Sequence, residues 1–107
     1  MTKYYNKLVR DKIPEIISNS GNLPLYHYAT SEEYYRLLCK KLIEEISEFI
    51  ESDSLEELAD ICEVVESILK YKGVTHDIFK EIVENKRNKN GSFNDRIILE
   101  GVENGNL

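Results

Sequence analysis

Lys41-Leu42-Ile43-Glu44-Glu45-Ile46-Ser47-Glu48 and Leu55-Glu56-Glu57-Leu58-Ala59-Asp60, with Ser52-Asp53-Ser54 between them, decide both the fold and the search for a site. Each stretch has apolar residues at helical spacing and one acidic i,i+3 pair, Glu45 with Glu48 and Glu57 with Asp60. Residues three apart share nearly one helix face, so each pair projects its carboxylates in one direction. A fold-back about Ser52-Asp53-Ser54 sets Glu48 level with Glu57 and Glu45 level with Asp60, a rough square of four carboxylates. Antiparallel helices pack with axes about 8–10 Å apart. Inward-pointing carboxylates close that gap only around something positive, and hard oxygen donors suit Mg²⁺ or Mn²⁺.

Working outward, Thr30-Ser31-Glu32-Glu33 reads as a capping box that opens a long helix at about 31–51. Its stripe is Tyr35, Leu38, Leu42, Ile46 and Phe49; Glu45 flanks that stripe and Glu44 points away, which makes Glu45 the better ligand. The next helix, about 55–71, has a main apolar face of Leu58, Ile61, Cys62, Val65, Ile68 and Leu69. Glu57 and Asp60 lie beside a second stripe through Val64. Its start has two registers. With Ser54 as N-cap, Glu57 bonds back to the cap amide; with Asp53 as N-cap, Glu56 takes that part and Glu57 is free to face the other helix.

Pro14 near a helix start and Gly21 near its end predict a short N-terminal helix, preceded by the basic residues Lys7, Arg10 and Lys12. Leu25-Tyr26-His27-Tyr28-Ala29 alternates weakly and predicts a short extended piece, and Asn94 to Leu99 a short strand or coil. Gly73 closes the second long helix, and a third main helix follows at about 76–89 with Ile78, Phe79, Ile82 and Val83 as a narrow seam. Lys86, Arg87 and Lys89 crowd its last turn, where the helix dipole favours cations. Gly91 beyond them would let a backbone approach a phosphate closely. The expected architecture is all-α: an antiparallel helical bundle with a short N-terminal helix and three main helices, one domain over 1–107 with a frayed tail at about 100–107.

With 107 residues at 41% hydrophobic content, an isolated core is modest, so assembly as an oligomer is expected. The net charge of −6 and pI near 5.0 argue against a general nucleic-acid binder. Neither a membrane span nor a signal peptide is legible, which points to the cytoplasm. Cys39 and Cys62 stand singly in helical patterns and read as small buried hydrophobes. His27 and His76 have no second ligand at metal spacing. Tyr26, Tyr28, Tyr34 and Tyr35 are either core residues or stacking surfaces for a base.

The two acidic stretches resemble the all-α nucleoside triphosphate pyrophosphohydrolases of the MazG type. The opening Tyr5-Asn6-Lys7-Leu8-Val9-Arg10-Asp11-Lys12-Ile13-Pro14-Glu15-Ile16-Ile17 is similar to their phosphoribosyl-ATP pyrophosphohydrolase-like subgroup. The resemblance covers about residues 4–102. It implies Mg²⁺ or Mn²⁺ on Glu45, Glu48, Glu57 and Asp60, and cleavage of a nucleotide's α–β phosphoanhydride to monophosphate and pyrophosphate. It also implies a homodimer or homotetramer engaged in house-cleaning or pool control. On this reading Glu45 or Glu48 orients or deprotonates the attacking water, and Lys7, Arg10, Lys86 and Lys89 hold phosphate oxygens. The chain departs from the family pattern in two places. Eight residues separate the acidic motifs, fewer than in many members, and Asn90-Gly91-Ser92-Phe93 stands where a basic-Gly-Gly-Phe ending is usual. The alternative reading is a non-catalytic nucleotide-binding protein that sequesters or senses its ligand.

Overall fold

A computed structural model of the chain describes residues 1–104. The described residues contain helices and no strand: α1 (Ile13–Asn19), α2 (Ser31–Ser52), α3 (Leu55–Tyr71) and α4 (His76–Asn90). The all-helical architecture and the helix boundaries match the sequence reading to within a residue or two. Residues 25–29 pair in no ladder, and 94–99 take the coil alternative rather than the strand. Alternation alone makes no ladder: Leu25, Tyr26, Ile97 and Ile98 stay exposed, and Tyr26 meets Tyr28 edge-on, centroids 5.9 Å apart. The frayed tail expected at 100–107 falls partly on residues 105–107, outside the described residues.

The chain divides into two units, Met1–Thr75 and His76–Leu107. In the first, α2 and α3 pack against each other. Thr30 caps α2, its hydroxyl accepting from the Glu33 amide at 3.2 Å. The helix ends where Asp53 turns left-handed at φ 53° and donates its amide to the Phe49 carbonyl at 2.7 Å. Asp tolerates that conformation better than most non-glycine residues because its short polar side chain bonds locally. Ser54 then caps α3, accepting from the Glu57 amide at 3.3 Å. One left-handed residue between two capped helices makes the reversal tight.

At the far end of the pair, the start of α2 meets the end of α3. Tyr35 stacks on Tyr71 at 4.8 Å, Tyr34 meets Tyr71 edge-on and Ser31 Oγ donates to the Tyr71 hydroxyl at 3.3 Å. Between the two ends the buried apolar residues are Leu38, Val64 and Leu69. The stripe through Val64 therefore faces inward; of the other apolar face Leu69 is buried as well, while Leu58 and Cys62 are exposed. Cys39 is exposed as well, so the expectation that both cysteines are buried is corrected. They sit on apolar stripes, but on the sides of α2 and α3 that do not face each other.

In the second unit, α4 ends at Gly91, whose φ of 85° suits glycine and whose amide bonds to the Arg87 carbonyl at 2.7 Å. Of its seam, Phe79 is half-buried and Ile78, Ile82 and Val83 are exposed.

Candidate metal and phosphate site

Packing α2 on α3 through Leu38 and Val64 turns Glu45 inward, and its residue is only 6% exposed. Glu57 and Asp60, one turn apart on α3, are half-buried. An oxygen from each of Glu45, Glu57 and Asp60 lies within 4.8 Å of the others. Glu48 is exposed and outside that group. Its charge still reaches Glu57, as the Glu57 proton affinity shows. Of the four expected carboxylates, three converge and one stands at the rim.

Of the two N-cap registers of α3, the structure takes the one with Ser54 as cap, without the reciprocal Glu57 bond. Ser54 is the cap, but its own amide is taken by Ser52 Oγ at 3.4 Å, so the Glu57 side chain is released to face Glu45. Only the Glu57 backbone serves the cap. Sequence treats cap and site as competitors, and the structure lets one residue do both.

Two cations meet this cluster. Arg10 Nη2 donates to Asp60 Oδ1 at 2.6 Å, and Lys41 Nζ lies 3.3 Å from Glu45 Oε1. Of the remaining oxygens, Glu45 Oε2 and Glu57 Oε2 are shut off from solvent with no donor on either. Burial of its carboxylate, then a hydrogen bond with Glu45, then the charges of Glu48, Asp60 and Glu45 push Glu57 up to about 7. A proton on Glu57 is thus one way to relieve the crowding, since it supplies the donor that two ionised carboxylates lack. A divalent cation is the other. Two orphaned, buried carboxylate oxygens and a third within reach fit a hard cation that takes oxygen donors.

Beside the carboxylates lies a hollow of about 270 Å³ lined by Lys7, Val9, Arg10, Ile13, Lys41, Glu45 and Asp60. The predicted phosphate-contact residues of the N-terminal segment, Lys7 and Arg10, therefore reach the carboxylates, more than 30 positions away in sequence. Lys86 and Lys89 belong to the second unit. There Lys86 lines a hollow of about 440 Å³ with Val83, Arg87, Asn90, Gly91, Ser92 and Phe93; Lys89 is exposed and does not line it. His27, isolated in sequence, pairs with Glu33 at 2.9 Å and takes no part in the cluster.

Lys41 is the site residue that sequence reasoning passed over. Its signal was available: a lysine four residues before Glu45 on one helix is a neighbour of that carboxylate.

No family model matches the chain, and no solved structure matches it. An uncharacterized protein from Mycolicibacterium smegmatis is 42% identical over 48 residues, which is 45% of this chain and 49% of that protein. The chain thus spans about half the length of the curated relative it matches. That likeness brings no activity with it, and the case for a function stands on the cluster. Among the described residues no helix is long and apolar enough to cross a membrane.

Proposed function

We propose that this chain is a Mg²⁺- or Mn²⁺-dependent nucleotide pyrophosphohydrolase of the MazG type. It would cleave the α–β phosphoanhydride of a nucleoside triphosphate or related nucleotide to monophosphate and pyrophosphate, in cytoplasmic house-cleaning or pool control. The observation that carries this reading is the convergence of Glu45, Glu57 and Asp60, with two buried oxygens unpartnered, beside the cation-lined hollow of Lys7 and Arg10. Glu45, Glu57 and Asp60 would hold the cation, with Glu48 at the rim. The chemistry such a cation supplies when bound is neutralisation of triphosphate charge and polarisation of the phosphorus.

The protein's own residues do the rest. Lys7 and Arg10 bind phosphate oxygens at the hollow. Glu48 is the carboxylate best placed to handle a proton from water, because it is exposed and lies outside the converging trio. It orients a water for attack on phosphorus and takes its proton as the bond to the bridging oxygen breaks and pyrophosphate leaves. Glu45 is buried beside Lys41 and serves as ligand rather than base.

The protein acts as a homodimer or homotetramer on this reading. The support is the uncovered face of the helix pair: Ile43, Ile46 and Ile50 on α2, with Leu55 and Leu58 on α3, are all exposed. Incubating the protein with a panel of ribo- and deoxyribonucleoside triphosphates, with and without Mg²⁺, tests the activity. Monophosphate and pyrophosphate appearing only with Mg²⁺ is the expected result.

One observation favours the second reading, a nucleotide-binding protein without hydrolysis. Lys41 and Arg10 already pair with two of the three carboxylates, so the cluster has counter-charges without an ion. Tight nucleotide binding with no product over hours would select it.

A further inference from the structure

Arg10 and Lys41 face the same carboxylate cluster in different ways. Lys41 pairs with Glu45 Oε1 where both side chains are largely buried, 20% and 7% exposed, and it leaves Oε2 open. Its burial holds it in place more firmly than an exposed pair is held, and its bond is to the other oxygen of Glu45. Arg10 pairs with Asp60 where both are accessible, 56% and 37% exposed. It reaches Asp60 from residues 1–12, which form no regular structure ahead of α1. Its contact is short, 2.6 Å, but an exposed ion pair is worth little and yields readily to competition.

From this contrast we infer that Arg10 and a divalent cation compete for Asp60: cation binding releases the guanidinium, and with it the Lys7–Arg10 segment, from the carboxylate cluster. The inference rests on reading the cluster as a cation site and adds how that site is regulated. A second positive charge brought to the Asp60 carboxylate repels the guanidinium already there. The oxygens of Glu45 and Glu57 lie on the far side of that competition, because neither accepts from Arg10. Once released, the guanidinium stays tethered at the rim of the hollow next to Lys7, and its five donors are free for an anion that arrives with the cation. The segment is thus an internal counter-ion at rest and an anion ligand when the cation is bound.

The test uses the full chain and the metal alone. Mn²⁺ affinity is measured by calorimetry for wild type, Arg10→Gln and Lys12→Gln; the last removes the same charge two residues away without a bond to Asp60. Arg10→Gln is expected to tighten Mn²⁺ roughly two- to fivefold, the range that release of an exposed ion pair allows, and Lys12→Gln to leave it within error. In parallel, the guanidinium resonance of Arg10 is followed by NMR during a Mg²⁺ titration, assigned by its loss in Arg10→Gln. It is expected to move to the value of a solvated arginine in step with Mg²⁺ saturation. Mn²⁺ binding unchanged or weakened in Arg10→Gln, or an Arg10 resonance that stays put at saturating Mg²⁺, overturns the competition while the cation site stands. Absence of Mn²⁺ binding in every variant overturns the cation site, and the competition falls with it.

Discussion

On one side of the α2–α3 pair, the N-terminal segment brings Lys7 and Arg10 against Lys41, Glu45 and Asp60. On the other, Cys39, Ile43, Ile46 and Ile50 of α2 run alongside Leu55, Leu58 and Cys62 of α3, all exposed. Helical periodicity puts each set in a row, and the antiparallel course of α3 brings its row to the same side as that of α2. Both sides come from the same two helices, yet one is charged and covered and the other apolar and bare. The contrast shows how a helix pair with few buried residues divides its surface: charge gathers where the N-terminal segment lies, and apolar residues stay exposed on the opposite side.

The largest break in that contrast should come from the charged side. Glu45→Gln is expected to lower turnover by about a hundredfold or more and to weaken Mn²⁺ binding, with helical circular dichroism retained. Glu48→Gln should lower turnover by about 10²–10⁴-fold, as loss of a general base does, while Mn²⁺ binding changes far less. Equal loss of Mn²⁺ binding in the two variants would put Glu48 among the ligands and erase the distinction between trio and rim.

The apolar side answers to a different variant. Ile43 is 69% exposed, so Ile43→Glu leaves the core untouched and places a charge on the bare face. Its expected effect is a ten- to hundredfold weakening of self-association, about 1.4–2.8 kcal/mol, with Mn²⁺ affinity unchanged. Sedimentation velocity over a concentration series checks this; a wild-type chain that remains monomeric throughout would mean that the bare face is not a self-association surface.

A smaller effect is expected from pH. The Glu57 carboxyl is held up to about 7 from an ordinary 4.5, so between those values the metal-free folded chain binds more protons than the unfolded one. Stability from this group is therefore fully present below about 4.5 and falls as pH rises through about 7. The melting temperature of metal-free wild type should fall across that window relative to Glu57→Gln, which lacks the titration. The two curves should approach each other when Mg²⁺ is added, since a cation offsets the same repulsion. Parallel curves without metal would show that Glu57 is not held protonated.

The smallest change touches neither side. Thr30→Ala removes the hydroxyl that accepts from the Glu33 amide and is expected to cost about 1 kcal/mol by chemical denaturation. Mn²⁺ binding and association should both stay as they are, which makes this variant the control for general destabilisation.

Much of this protein was legible before any coordinates. The helices at 31–52 and 55–71 follow from apolar spacing, from hydroxyl residues at their starts and from the short polar turn between them, because these act within a few residues along the chain. The acidic pairs on facing helices follow in the same way. What periodicity could not decide was the rotation of α3. Apolar residues occupy more than one of its faces, and packing against α2 buried Val64 and Leu69 while leaving Leu58 and Cys62 exposed. The packing of the two helices also set which carboxylates converge: Glu45 of α2 meets Glu57 and Asp60 of α3, while Glu48 of α2 stays at the rim. The meeting of Arg10 with Asp60 spans 50 positions, a separation over which no local rule operates. Local sequence determined which segments are helices and which residues each helix can offer; only the tertiary packing decided which of those offers are taken up, because contact between distant residues is settled by the shapes that must fit together.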